Sequence, residues 1–184
     1  MLQLSKSLVN VPVMSLRVGG QVATADELII NPTNLKIEGW YCQDSRAKKK
    51  LILLSQDVRE VLPQGLVIDD YDALAQPDDL IRLKEILNIH FPLLGHQVVT
   101  VSKQKLGKVT DFAAEGTTFY IQKLYTQTSL FKSLKSGNTT VDRNQIVEIT
   151  DRKIVVKDPL QPTPLQRAAV AGSESAAANA TAPA

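Results

Sequence analysis

Short apolar runs separated by turn-forming residues recur along most of the chain. In the first half, the candidate strands are residues 21–24, 28–30, 35–42, 50–54, 58–61 and 66–68. In the second half, they are residues 97–101, 108–113, 118–124, 145–150 and 154–156. Many short strands with regular turn signals predict a mainly β fold of the barrel or sandwich type.

An internal repeat divides these strands into two sets. Residues 19–24 (GGQVAT) resemble residues 95–100 (GHQVVT), with identity at four of six positions. Later, residues 58–61 resemble residues 146–149, and an apolar strand follows each of them, at 66–68 and 154–156. The opening and the closing of one unit therefore recur in the same order, which predicts two copies of a small β domain.

Between the two copies, residues 73–92 are predicted to form a helical linker. Pro77 suits the first helical position, and Asp78 and Asp79 lie where the helix dipole favours negative charge. One face of this helix carries four apolar residues, Leu80, Leu83, Ile86 and Leu87. Such an amphipathic segment is expected to pack on one barrel or between the two.

Composition narrows the class of protein. Hydrophobic residues make up 43% of the chain and aromatic residues 5%, so the cores must be filled mostly by Val, Ile and Leu. The net charge of +2 gives no overall attraction to nucleic acid or membrane. After Asp158, closely spaced prolines and an alanine-rich end predict a disordered tail over residues 159–184.

The N-terminus and the single cysteine bear on location. Asn10 and Pro12 interrupt the N-terminal apolar run, which disfavours a signal peptide. No run approaches the ~20 apolar residues of a membrane span. Cys42 is the only cysteine, so it cannot form an intrachain disulfide, and a buried structural thiol is expected. We therefore expect a cytoplasmic protein.

Motifs typical of catalytic and cofactor sites are absent from the sequence. It contains neither a phosphate-binding glycine loop nor a Gly-x-Ser-x-Gly elbow. His90 and His96 lack a nearby cysteine pair, which argues against a zinc site. The acids between Asp69 and Asp79 are interpreted as a solvated linker or docking surface, because their spacing is not that of a calcium loop. We expect no enzyme activity, cofactor or metal.

Four aromatic residues in predicted strands are candidate partner-binding residues: Trp40, Tyr41, Phe119 and Tyr120. Adjacent residues of a strand point to opposite faces, so one ring of each pair is expected to face outward. The outward rings would form an exposed patch for a partner. The alternative is that all four rings fill the core.

Two lysine clusters on predicted turns are candidate contacts for a polyanion: Lys48, Lys49 and Lys50, and Lys103, Lys105 and Lys108. Such clusters can neutralise phosphates, although few aromatic residues lie nearby to stack on single-stranded bases. Residues 93–158 carry 10 basic and 6 acidic side chains (+4), whereas residues 1–92 carry 10 and 12 (−2). The alternative is that both clusters are solvated turns.

The second copy carries the more specific pattern. Residues 93–100 (LLGHQVVT), followed by residues 106–112 (LGKVTDF), resemble the start of a PRC-barrel domain. Residues 145–149 and 153–156 resemble the closing hairpin of that family. Its glycines, Gly95 and Gly107, are expected at bends that a Cβ would crowd. The first copy resembles the family more loosely, because residues 27–32 (ELIINP) replace the Gly-Lys-Val strand.

This resemblance implies a tandem pair of PRC-type barrels: a first barrel at 1–72, the linker at 73–92, a second barrel at 93–158 and the tail at 159–184. The family includes the cytoplasmic domain of the photosynthetic reaction-centre H subunit and the C-terminal domain of a ribosome maturation factor. It implies a non-enzymatic adaptor that binds a protein partner. The alternative is a ribosome- or RNA-associated factor. Exposed strand edges would also allow a homodimer.

Overall fold

The computed structural model describes residues 1–127, 138–150 and 152–158, and the predicted tail at 159–184 lies outside them. The chain is mainly β, as predicted. The strands are β1 (Leu2–Leu4), β2 (Val11–Ser15), β3 (Gly20–Asn31), β4 (Lys36–Asp44), β5 (Lys50–Leu54), β6 (Val58–Leu62), β7 (Gly65–Ile68), β8 (Leu74–Ala75), β9 (Gln97–Thr100), β10 (Lys105–Glu115), β11 (Ile121–Gln127), β12 (Asn138–Asp142), β13 (Ile146–Ile149) and β14 (Lys153–Val156).

The strands form two seven-stranded sheets with matching topology. The first sheet has the order β6-β7-β2-β3-β4-β5-β8, and the second has the order β12-β11-β10-β9-β14-β13 with β1 added to β10. In each sheet one pair is parallel, β2 with β7 and β9 with β14, whereas the other pairs are antiparallel. Strands β2 to β7 therefore correspond in order to β9 to β14.

The closing hairpins match in detail. The β6–β7 ladder shifts register between Val58 and Glu60, and the β13–β14 ladder shifts between Ile146 and Glu148. A 3₁₀ turn precedes each hairpin, at Ser55–Asp57 and Arg143–Gln145. The repeat noted in the sequence at 58–61 and 146–149 thus falls on corresponding strands.

The similarity between residues 19–24 and 95–100, in contrast, falls on strands that do not correspond in the two sheets. Residues 19–24 begin β3, whereas residues 95–100 lead into β9, whose counterpart is β2. The parallel ladders give the correct alignment, because Val13 is opposite Leu66 and Val98 is opposite Ile154. The similarity therefore compares the start of β3 with the start of β9, two strands that differ in their place in the sheet. Similar residues can therefore begin two strands that occupy different positions in their sheets.

The first strand lies in the second sheet. Leu2–Leu4 pairs with residues 113–115 of β10, which extend beyond the part of β10 paired with β9. This part of β10 has a free edge that can accept another strand. The N-terminal arm, residues 1–10, pairs with it through β1. The predicted boundary at 1–72 therefore assigns this strand to the wrong sheet, and the first sheet begins at Val11.

The segment at 73–92 is less helical than expected. It contains 3₁₀ turns at Pro77–Asp79 and Ile81–Leu83 and one short α-helix, α1 (Lys84–Ile89), that ends at left-handed His90. Its apolar side chains Leu80, Leu83, Ile86 and Leu87 pack on the first sheet against Ile29, Tyr41 and Ile52. The apolar stripe is therefore used for packing, although six residues of α-helix replace the predicted longer one.

A single apolar cluster runs through both sheets. Within it, the rings of Trp40 and Phe119 meet edge to face, with 5.2 Å between their centroids. The Trp40 indole N–H donates to the carbonyl oxygen of Leu8 at 2.8 Å, so the N-terminal arm is part of this core. Among the described residues, no helix has the length and apolarity that crossing a membrane requires.

Candidate functional site: the cleft between the two sheets

The two sheets meet through equivalent turns. Residues 32–35 connect β3 to β4, and residues 116–120 connect β10 to β11. The Ile37 amide donates to the Phe119 carbonyl oxygen and the Ile121 amide donates to the Leu35 carbonyl oxygen, both at 2.9 Å. Between these bonds, Lys36 and Tyr120 form an antiparallel bridge. The junction therefore consists of main-chain hydrogen bonds as well as buried side chains.

Both turns use an unusual backbone conformation. Leu35 has φ of 48° and Phe119 has φ of 60°, in a region that residues with a Cβ rarely adopt. This conformation costs on the order of 1 kcal/mol at each residue. Both side chains are buried in the shared core, so packing across the junction offsets that cost.

Arg143, which belongs to the second sheet, stabilises the same junction through hydrogen bonds. Its guanidinium donates to the carbonyl oxygens of Asn34, Leu35 and Ile121, the last at 3.1 Å. The guanidinium carbon also lies 4.8 Å from the centre of the Tyr120 ring. Arg143 is suited to this role because its planar group presents several donors in fixed directions.

A cleft of about 430 Å³ lies beside Arg143. One wall is the turn at Pro32–Leu35 of the first sheet, and the other is β13 with the adjoining Thr150. Within the described residues, β13 pairs with β14 along one edge only. Val147 is 55% exposed, so the cleft combines an open strand edge with an apolar side chain. Nothing in the sequence singled out this cleft, because its walls lie far apart in the chain.

The four candidate aromatic residues do not form the expected patch. Trp40, Tyr41 and Phe119 are buried, with Tyr41 at 8% exposure. Tyr120 is half-buried beneath the Arg143 guanidinium. Alternation does turn the Tyr41 ring away from the Trp40 side, but the segment at 73–92 covers it. The expectation of an outward ring in β4 is therefore wrong, and the junction of the sheets holds Trp40, Phe119 and Tyr120.

The covered Tyr41 ring is enclosed by polar neighbours as well. The His90 ring stacks on it with centroids 6.1 Å apart, and the Lys50 ammonium lies 4.1 Å from its centre. Burial raises the pKa of Tyr41, and the nearby Glu27 carboxylate raises it further. Lys50 is thus engaged in packing on the first sheet, unlike Lys48 and Lys49.

The six candidate lysines are exposed but lie on different sheets. Lys48 to Lys50 lie at the β4–β5 turn, and Lys103 lies in the β9–β10 turn with φ of 69°. Lys105 and Lys108 lie on β10, one strand away from Lys153 on β14 and from Lys157 just beyond it, which sequence reasoning missed. The signal was weak because Lys153 and Lys157 are separated by apolar residues and approach β10 only through strand pairing.

Two acids of the stretch from Asp69 to Asp79 form ion pairs, and Cys42 is buried. Asp69 pairs with Arg59 at 2.6 Å and Asp70 with Arg17 at 2.7 Å. The Cys42 thiol is buried, and this burial raises its pKa to about 12. Across residues 1–127, 138–150 and 152–158, no group of three or more His, Cys, Asp or Glu side chains is arranged to hold a metal ion.

No protein-family model matches this sequence, and no curated protein matches it. The resemblance to PRC barrels therefore rests on the residues quoted above and stays a prediction. The directly observed features are the mainly β fold, the two sheets and the cleft between them.

Proposed function

We propose that this chain is a non-enzymatic binding module, built from two PRC-type barrels, that holds an extended segment of a protein partner in the cleft. The cleft at the open edge of β13 carries the proposal. An unpaired strand edge offers main-chain donors and acceptors, and a partner can add a strand to it. The exposed Val147 side chain would contribute apolar contact at the same place.

The matching strand order of the two sheets supports the tandem arrangement. The reciprocal hydrogen bonds at Leu35 and Phe119, together with Arg143, would hold both cleft walls in a fixed relation. A preformed cleft lowers the entropic cost of binding, because little of the protein must be ordered when a partner arrives. These features suit a scaffold that holds a partner.

The side chains of the cleft favour binding over chemistry. Its ionisable residues are Arg143 and Glu148, and the Arg143 guanidinium already donates to three carbonyl oxygens. Nucleophilic catalysis requires an activated nucleophile with a base in reach. The cleft offers main-chain groups and an exposed valine, which are the elements of strand addition.

The test is site-specific photo-crosslinking. A benzophenone amino acid replaces Val147 in one protein and Ile81 in a control, because Ile81 is 81% exposed on the segment that covers the first sheet. Nuclease-treated lysate of the native cell is irradiated, and crosslinked proteins are identified. We expect a defined protein to crosslink at position 147 and not at position 81.

The identified protein is then purified and its affinity measured. Val147→Lys should weaken binding at least tenfold, whereas Ile81→Lys should leave the affinity unchanged. Equal effects of both substitutions, or equal crosslinking at both positions, would contradict the cleft as the binding site. The alternative function, a ribosome- or RNA-associated factor, has separate support in the lysines on the outer face of the second sheet.

A further inference from the structure

Four lysines surround one patch on the outer face of the second sheet: Lys105, Lys108, Lys153 and Lys157. Strand β9 lies between β10 and β14, and Lys108, Gln97 and Lys153 are directly opposite one another across the three strands. In the adjacent row, Lys105 is opposite Val99, which is opposite Val155. Residues opposite each other in a sheet point to the same face.

Burial shows which face this is. Val98 and Ile154, which alternate with the residues of these rows, are fully buried in the core. The rows therefore face outward, and Lys105, Lys108 and Lys153 are exposed. Lys157 continues the alternation beyond β14 and is exposed too. We call these four lysines with Gln97, Val99 and Val155 the lysine face.

The charge of the lysine face is only partly compensated. Among the described residues, none of its four ammonium groups forms an ion pair or a hydrogen bond. Glu148 is the acid next to it, opposite Val155 on β13. The nearby Asp158 carboxylate accepts a hydrogen bond from the Ser102 hydroxyl at 2.5 Å. Four unpaired ammonium groups thus face two neighbouring carboxylates, those of Glu148 and Asp158.

The corresponding face of the first sheet lacks this charge. There Gln21 is opposite Met14, which is opposite Val67, in the place of Lys105, Val99 and Val155. The same backbone scaffold therefore presents lysines in only one of the two units. The scaffold that the two sheets share therefore does not account for these lysines.

We propose that the lysine face binds the phosphate backbone of a double-stranded nucleic acid. Neighbouring strands lie about 4.8 Å apart and a strand rises about 3.3 Å per residue. The face is therefore about 10 Å wide from β10 to β14 and about 13 Å long from Lys153 to Lys157. Lysine stems can reach phosphates on both sides of a groove from such a rectangle.

The centre of the lysine face favours a duplex over a single strand. Single-stranded nucleic acid is held by aromatic rings on which bases stack. The positions between the four lysines are Gln97, Val99 and Val155, which contribute no ring. A duplex keeps its bases stacked internally and presents phosphates, so only charge complementarity is needed.

The test measures the affinity of the full chain for fluorescent duplexes of ~20 base pairs, one of DNA and one of RNA, as a function of salt. Four phosphate contacts predict a slope of about −3.6 for log K against log salt. Affinity should therefore fall roughly 150-fold between ~50 and ~200 mM salt. Binding of either duplex with this slope supports the proposal.

A charge-matched pair of variants locates the contact. Lys108→Gln/Lys153→Gln should make the slope shallower by about 1.8, because two phosphate contacts are lost. Lys48→Gln/Lys49→Gln removes the same charge from the first sheet and should leave the slope unchanged. Circular dichroism and urea unfolding verify that both variants fold normally, since all four side chains are exposed.

Three results would overturn the proposal. One is an equal change of slope in both double variants. A second is tighter binding to a single strand of the same length than to either duplex. A third is binding to phosphatidylserine vesicles with no binding to a duplex. The proposal goes beyond the protein-binding function, and the tests are separable because Val147→Lys should retain the duplex affinity.

Discussion

Leu35 and Phe119 occupy the same position in two turns that bond to each other. Both have a positive φ, and each carbonyl oxygen accepts a 2.9 Å hydrogen bond from the isoleucine two residues after the other. Reciprocal contacts between equivalent residues are the signature of a two-fold relation. At this point the two sheets therefore meet as equivalent turns of a symmetric dimer would, although they belong to one chain.

Removing the Arg143 clamp should loosen this junction. Arg143→Ala leaves three carbonyl oxygens without their charged donor, so we expect it to lower the free energy of unfolding by roughly 2–3 kcal/mol. Arg152→Ala is the control, because Arg152 is exposed, and its effect should stay within about 0.5 kcal/mol. Urea unfolding measures both values. Equal stabilities of the two variants would contradict the clamp.

Gly39 allows two strands to approach closely. A Cβ at this position would lie 2.3 Å from the Leu53 carbonyl oxygen, so Gly39→Ala should cost at least about 3 kcal/mol or prevent folding. At Gly20 a Cβ would meet no atom within 4 Å, and Gly20→Ala should change stability by less than about 1 kcal/mol. Thermal unfolding of both variants checks the contrast. A stable Gly39→Ala protein would show that the strands can move apart.

The N-terminal arm should contribute to the core through Leu8, which is fully buried. Leu8→Ala is expected to cost roughly 3 kcal/mol, because it leaves a cavity in the core shared by the two sheets. Val9→Ala, at a half-buried position, should cost less than about 1.5 kcal/mol. Urea unfolding monitored by Trp40, the only tryptophan, measures both. An undiminished stability of Leu8→Ala would mean that the arm does not support the fold.

The Cys42 thiol should be inert in the folded protein. Burial raises its pKa to about 12, so at pH ~8 the folded chain should react with a thiol-specific disulfide reagent on the order of 1,000-fold more slowly than the unfolded chain. The measurement compares the native protein with the protein in urea. One thiol should react readily after unfolding, because the chain has a single cysteine. Rapid reaction of the native protein would refute the buried placement.

Asp44 should make the free energy of unfolding depend on pH in the acidic range. The Arg46 amide and then the Tyr71 hydroxyl donate to its carboxylate and hold its pKa below the ordinary value. Because the folded-state pKa is lowered, the stabilisation is present above the ordinary aspartate pKa of about 3.9 and is lost as pH falls through the folded value.

Asp44→Asn tests this dependence, because it removes the charge and keeps the shape. The variant should be less stable than the unaltered protein at neutral pH, and the difference should shrink as the pH drops below about 3.9. Urea midpoints measured across this range give the difference directly. A difference that does not change with pH would exclude the carboxylate charge as its source.

Local sequence predicted the mainly β class of the fold. The closing hairpins were recognisable because residues 58–61 and 146–149 carry the same apolar pattern before a turn. The apolar stripe of residues 73–92 predicted packing on one barrel or between the two, and in the structure its side chains lie against the first sheet. The similarity between residues 19–24 and 95–100 wrongly predicted corresponding strands, because β3 and β9 begin with similar residues.

The candidate site was less predictable. Strand alternation described Tyr41 correctly as facing away from Trp40, but it could not reveal a covering layer supplied by residues 73–92. Gly95 has φ of 86° and open space where a Cβ would lie. Glycine is therefore favoured there by the backbone conformation, and not by the crowding that was expected. The cleft and the lysine face both join residues from separate strands, so no local pattern marks them.

The sequence by itself determined where strands and turns form, since backbone preference and alternation act between near neighbours. Tertiary structure alone decided that β1 completes β10, that Leu35 meets Phe119, and that Lys108 and Lys153 share a face. A strand edge can pair with any segment that reaches it, because main-chain donors and acceptors are the same at every residue. Which segment arrives depends on the packing of the whole core, and that is decided only when the chain folds.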